Sequence, residues 1–267
     1  MNILIDTSFN TTMQEVIHTA EKVATSDLSV VIIGEHGTGK EWLARNIHRL
    51  SKRFKGPFYP IDCAALPPEE LERELFGFEM LTKEGITIRR GGFEEAHGGF
   101  LLLNEIGSLP PSVQMKISRA LEYKTVHRIG SDQPIQIDTR VIATLSQNSN
   151  ILLQNGLLQK DMFYRISPII IEIPPLRDRR EDIPLLIDKF LNELNDLQGT
   201  VTRVTPEALH LFLKYEWPGN VRRLKNSLEY AFVMRSSQWI EPKDLPGYLQ
   251  TNSTIGDTPA KTSSKQR

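Results

Sequence analysis

Apolar positions along the chain fall into two textures. From about residue 10 to residue 173, short uninterrupted apolar runs alternate with segments of helical periodicity. The runs are residues 28–33 (LSVVII), 58–61 (FYPI), 100–103 (FLLL), 138–144 (DTRVIAT) and 168–173 (PIIIEI). A strand buried on both faces reads this way, because neither side of the pleat meets water. Between the third and fourth runs, Val113, Ile117 and Leu121 lie at helical spacing, and Pro110 and Pro111 open that helix. Residues 125–137 read as a hairpin turning at Gly130, Ser131 and Asp132. Strands alternating with helices predict a parallel α/β sheet with crossover helices.

The texture changes after residues 174–184 (PPLRDRREDIP). Residues 183–197, 206–215 and 221–234 are amphipathic at helical spacing and show no strand pattern, which predicts a small all-helical domain. Residues 251–267 (TNSTIGDTPAKTSSKQR) are polar, slightly basic and nearly free of large apolar side chains. They read as a disordered tail or linker, with the expectation that a further domain follows in a longer protein. The expected organisation is an α/β domain over residues 1–175, a helical domain over 176–250 and a tail over 251–267.

Composition narrows this little. The 267 residues carry 32 basic and 33 acidic side chains, so net charge gives no reason to expect nucleic acid or an anionic membrane as partner. One cysteine excludes an internal disulfide framework and fits a reducing, cytoplasmic setting. No apolar run approaches the roughly 18 residues of a membrane span. The six histidines show no metal-ligand spacing, and no Ser-His-Asp arrangement is supported.

The strongest chemical signal is VVIIGEHGTGKEW. Gly34, Gly39 and Lys40 satisfy G-x-x-x-x-G-K directly after an apolar strand and before a helix. Glycines let the backbone turn tightly so that successive amides aim at phosphate oxygens, and the following helix adds its positive end. Lys40 reaches the terminal phosphates in this reading. Where many such loops carry Ser or Thr for magnesium, this one carries Glu41.

The loop GEHGTGKE closely resembles the G-E-x-G-T-G-K-E loop of bacterial enhancer-binding proteins, the AAA+ activators that work with sigma-54 RNA polymerase. Residues 56–77, 98–122, 173–186 and 217–226 (WPGNVRRLKN) resemble further segments of that family in order and spacing, covering about residues 17–249. The resemblance implies an AAA+ P-loop NTPase: a parallel Rossmann-like sheet, a C-terminal helical lid, assembly into rings or a resting dimer, and ATP bound at subunit boundaries. It assigns ATP or ADP to Gly34, Glu35, His36, Gly37, Thr38, Gly39, Lys40, Glu41 and the lid arginine Arg222. It also implies RNA polymerase holoenzyme as a partner and DNA contact through a domain outside this chain.

The departures from the family pattern matter as much. The contact loop G-A-F-T-G-A is absent, and residues 80–85 (MLTKEG) stand in about its place, so a sigma-54-independent action is expected. The family's magnesium-binding Asp is Asn104, a neutral amide that is at most a weak ligand for Mg2+. A unit-charge pair near 4 Å is worth about 4 kcal/mol at an effective dielectric of 20, so that change is not small. Glu105 keeps the water-orienting place. The Asn that restrains it in the family is Asp62, the phosphate sensor is assigned to Leu145, and the first of two arginine fingers is Gln159. The second finger, Arg165, is present; its alternative reading is a surface ion pair with Asp161. Residues 44–48 (ARNIH) resemble a stretch that binds cyclic di-GMP in some members. Three readings follow: a regulatory module that binds nucleotide and hydrolyses it weakly or not at all, a slow ATPase motor acting on polymerase, and a cyclic di-GMP-responsive regulator.

Overall fold

The computed structural model describes residues 8–82 and 85–250; the expected tail over 251–267 lies outside them. The elements in order are α1 (Thr11–Ala24), β1 (Val30–Ile33), α2 (Lys40–Leu50), β2 (Phe58–Asp62), α3 (Pro68–Phe76), β3 (Phe78–Thr82), β4 (Gly85–Arg89), α4 (Gly92–Glu95) and β5 (Phe100–Asn104). There follow α5 (Pro111–Tyr123), β6 (Thr125–His127), β7 (Pro134–Gln136), β8 (Arg140–Leu145), α6 (Ser149–Gln154), α7 (Lys160–Ile166) and β9 (Ile169–Glu172). The remainder is α8 (Asp182–Gln198), β10 (Arg203–Val204), α9 (Pro206–Lys214), α10 (Asn220–Met234), β11 (Trp239–Ile240) and α11 (Gly247–Gln250).

The five apolar runs are the five strands of one parallel sheet, ordered β2-β5-β8-β1-β9. Both faces are covered, and the alternation of the pleat decides which residue goes where. Val30, Ile32, Phe100, Leu102 and Ile142 join a core layer with α1 and α2. Val31, Leu101, Leu103, Val141 and Ala143 point the other way, into the layer made with α3, α5 and α7. Helix α1 buries Met13, Val16, Ile17, Ala20, Val23 and Ala24, a stripe at the spacing a half-buried helix requires. Its last turn is closed by Arg140 at the start of β8. That buried guanidinium donates to the carbonyls of Val23, Ala24, Ser26 and Leu28. Burial pushes Arg140 down to about 10, while the carbonyls at the negative end of the helix favour its charge.

The expected hairpin is β6 against β7, with Gly130 at φ 86°. A second hairpin, β3–β4, pairs Met80, Leu81 and Thr82 with Thr87, Ile86 and Gly85.

The described chain divides into two compact units. One comprises Met1–Leu185 with Trp217–Arg223, the other Leu186–Glu216 with Leu224–Arg267. The second unit corrects the all-helical expectation. Residues 203–204 pair in parallel with 239–240, a ladder too short to show period-two patterning in the sequence. Within that unit Thr205 caps α9 by accepting from the Ala208 amide, and Pro206 occupies the first helical turn. Asn195 closes the turn after α8, accepting from the Thr202 amide and donating to its carbonyl.

Candidate functional site

β1 lies between β8 and β9, and its carboxyl end passes into α2 through residues 34–39. Neighbouring strands hold both ends of that passage. The Gly34 amide donates to Leu145 O at 3.0 Å, and the Ile173 amide to Ile33 O at 2.8 Å. Gly37 (φ 79°) and Gly39 (φ 106°) take left-handed conformations. A Cβ on Gly37 would come within 2.3 Å of Gly219 O, so that position admits nothing larger. Gly39 is the N-cap of α2, and the loop amides therefore open onto the positive end of an eleven-residue helix.

Lys40 is 8% exposed. Its ammonium donates to Gly34 O (2.7 Å) and Ser146 Oγ (2.6 Å), and stands 3.2 Å from Glu105 Oε1. Burial lowers its pKa, the Glu105 charge opposes that, and the nearby Arg222 cation adds to it. Glu105 directly follows β5 in a left-handed backbone conformation (φ 57°, ψ 54°), sparsely populated for a side chain of that size. Burial would raise its carboxyl, but the Ser146 hydroxyl and the Lys40 charge outweigh it and hold the group below the usual carboxylate range. The Ser146 hydroxyl lies 2.5 Å from Glu105 Oε1, and its amide donates to Oε2. His36 Nδ1 lies 3.1 Å from the same hydroxyl.

This corrects the sensor assignment. Leu145 is 1% exposed and belongs to the sheet core, so its side chain cannot face the loop. Its successor Ser146 is the residue that reaches Lys40 and Glu105. The hydroxyl beside the loop thus comes from the residue after the one named in the sequence reading, and in a strand one residue changes the face.

Other expected site residues fall into place unequally. Asn104 Oδ1 accepts from Thr144 Oγ1 at 3.2 Å, and that same hydroxyl accepts from the Glu105 amide. Asp62 turns to the Ala64 amide, 3.0 Å away. Glu41 is exposed and pairs with Arg45 one turn on. Thr38 is buried and donates to Glu35 O. Arg222 is exposed, and its amide donates to Gly37 O. Arg165 is not brought to this cluster. It pairs with Glu122 of α5 at 3.2 Å, not with Asp161, beside a groove of about 630 Å³ lined in part by Met115, Arg119 and Tyr164. Gln159 begins α7, and its amide donates to Gln114 Oε1. Of residues 44–48, Asn46 and His48 are turned inward: Asn46 donates to Trp42 O, and His48 packs on Phe100 with Nε2 at Arg53 O. Arg45 alone of that motif's polar residues faces solvent, its guanidinium 4.6 Å from the Phe58 ring centroid.

Four residues with no assigned role in the sequence reading brace the loop. Arg177 grips Glu35 with two bonds (2.7 and 3.0 Å), which, against the opposing effect of burial, holds that carboxyl below its ordinary value. Asn220, 1% exposed, donates to Glu35 Oε2 and His36 O and accepts from the Leu176 amide. Arg179 donates to Thr38 O at 2.8 Å. Ser146 is the fourth. Arg177, Arg179 and Asn220 sit in segments the sequence marked as a domain boundary and as stretches resembling the family, with no role given to these three side chains.

Residues 7–172 match the family described as the Sigma-54 interaction domain, and residues 177–262 match the AAA+ ATPase lid domain. The chain belongs to the sigma-54 interaction domain family. Its fold is thus that of an AAA+ P-loop NTPase with a C-terminal lid. Among its relatives, the regulatory protein AtoC of Escherichia coli (strain K12) is 44% identical over 240 residues, 89% of this chain and 52% of AtoC. The DNA-binding transcriptional regulator NtrC of Klebsiella pneumoniae is 39% identical over 251 residues, 93% of this chain and 53% of NtrC. NtrX from Brucella abortus, solved in complex with ATP, superposes with a TM-score of 0.82 at 33% identity, covering 91% of this chain and 56% of NtrX. The chain spans about half the length of the curated relatives it matches. It is the sigma-54 interaction AAA+ module of NtrC-type bacterial transcription regulators. No helix among the described residues is long and apolar enough to cross a membrane.

Proposed function

We propose that this module binds ATP or ADP at residues 34–41 and uses it chiefly as a regulatory ligand, with hydrolysis slow or absent. One observation carries the reading. A buried lysine and a run of loop amides converge at a helix N-terminus, and every flank of that loop is fixed by side chains that a triphosphate need not displace. The ATP-bound relative supports the nucleotide class. Arg222 is the candidate lid contact.

Slow turnover is argued from three positions. Asn104 is neutral and spends its oxygen on Thr144, Glu41 faces solvent, and Gln159 carries no charge. Among the described residues no cluster of three or more His, Cys, Asp or Glu could hold a metal. The donor set does not fit a magnesium ion held by protein alone. Glu105 and Ser146 favour the second reading, a slow ATPase, because a carboxylate kept ionised and a hydroxyl beside it remain where water and a terminal phosphate would sit. Self-association into a ring or dimer, action on RNA polymerase holoenzyme without sigma-54, and DNA contact through another domain complete the proposal. The cyclic di-GMP reading is the weakest, since only Arg45 is offered outward.

Titration with a fluorescent ATP analogue, with phosphate release followed across protein concentrations, tests this. Tight binding with little release is expected, and Lys40→Ala should weaken binding roughly 100-fold, the effect of losing about 3 kcal/mol of charged hydrogen bonding. Brisk Lys40-dependent release would overturn the regulatory reading in favour of the motor.

A further inference from the structure

Two buried charges tie the segment entering α1 to the phosphate loop. Asp182, at the start of α8, is 1% exposed. Its carboxylate accepts from Ser8 Oγ (2.8 and 2.9 Å), the Phe9 amide (2.7 Å) and the Asn10 amide (3.2 Å). Asn10 also caps α1, accepting from the Met13 amide, and donates to Asp178 O. One turn before Asp182, Arg179 is 4% exposed and donates to Thr38 O inside the phosphate loop. Its Nε is buried without a hydrogen-bond partner among the described residues. The Asp182 amide donates to Arg179 O at 3.0 Å, which ties the two residues into one turn, and the Asp182 charge opposes the effect of burial on the Arg179 guanidinium. Residues 8–10 therefore orient the one anion that steadies a half-satisfied cation gripping the loop. Residues 8–10 donate no hydrogen bond to the loop itself; the turn from Asp178 to Asp182, which they hold at both ends, lies between them and Thr38.

We propose that residues 8–10 form a strap whose hold on Asp182 sets the Arg179–Thr38 contact, so that the state of the chain entering α1 controls nucleotide affinity at the phosphate loop. The nucleotide part rests on the function proposed above; the strap itself does not. Coupling of this kind is reciprocal, so nucleotide must tighten the strap by the factor the strap tightens nucleotide. The link is contiguous, and Ser8, Asp182, Arg179 and Thr38 along it are all buried.

Ser8→Ala is the variant of choice, because the Phe9 and Asn10 amides still satisfy Asp182 and the fold survives. Amide hydrogen exchange of the full chain without nucleotide should then quicken across residues 34–40, while α5 stays unchanged. Affinity for the ATP analogue should fall about fivefold, the low end of ordinary coupling. In the parent, ATP should slow exchange at the Phe9 and Asn10 amides. Quickening confined to residues 8–13 overturns the strap. If the parent binds no nucleotide, the function reading fails instead, and exchange at residues 34–40 alone decides the strap.

Discussion

The phosphate loop and the β3–β4 hairpin are both short excursions from the same unit, and they are built by opposite rules. The loop is held from outside. Arg177, Arg179 and Asn220 reach Glu35, His36 and Thr38 from more than 140 positions along the chain, and Ser146 meets Lys40 from the far end of β8. Among the described residues, the hairpin is held at its base, where the Glu79 amide donates to Ile129 O and Arg89 pairs with Glu74. Beyond that base, Met80, Leu81, Ile86 and Ile88 stand 53%, 81%, 62% and 53% exposed. Where tertiary partners converge, residue identity is dictated by geometry. Where few such partners are seen among the described residues, the fold places little demand on residue identity, and the segment expected to stand in for the family's contact hexapeptide falls in this hairpin.

The sharpest way to break this contrast is Asn220→Ala. It orphans the Leu176 amide and the His36 carbonyl, and it places Ala in a left-handed conformation (φ 53°) that Asn tolerates better. The expected loss is about 3 kcal/mol, or roughly 6 to 12 °C in the melting transition of the sheet unit. Calorimetry checks it. A change under one degree, about the size of a surface substitution, would mean the loop is not held from outside at all.

That outcome also bears on what the chain discloses when only its letters are read. The five strands were legible because burial on both faces writes a continuous apolar run, and the phosphate loop because glycine spacing is dictated by backbone approach. The bracing was not legible. Arg177 and Arg179 look like any basic cluster until the chain closes on itself, and Asn220 looks like a helix start. Ser146 was missed for a different reason. A strand end gives no mark of its last inward residue, so a register one place short put a buried leucine where a hydroxyl belongs. The error bears on function, since a hydroxyl can donate to a phosphate and a leucine cannot.

A smaller effect separates the two regions by titration. Glu35 and Glu105 both have folded pKa values below the ordinary 4.5. Each contributes stability that is complete above that value and is lost as pH falls through its depressed folded value. Urea denaturation at descending pH should therefore show a decline beginning near 4.5, and Glu105→Gln should remove part of that slope. An unchanged slope would place the acid sensitivity elsewhere, Asp138 beside Arg53 being the next carboxyl held low.

The smallest effect is the most telling for the hairpin. Leu81 faces Ile86 across the two strands, and both side chains meet solvent. Replacing both with serine removes apolar surface that the described fold does not bury, so stability should move by less than about 0.5 kcal/mol per site. The nucleotide titration should superpose on the parent's, because nothing in the loop's bracing runs through these side chains. If the melting transition instead drops by several degrees, the hairpin is packed in solution and the contrast with the phosphate loop collapses. If melting and nucleotide binding both hold, two large apolar groups are being kept in water at no benefit to the fold. Exposed patches of that kind mark surfaces that serve contact with another molecule. The same double substitution should then show its consequence only when the module is assayed with RNA polymerase holoenzyme present.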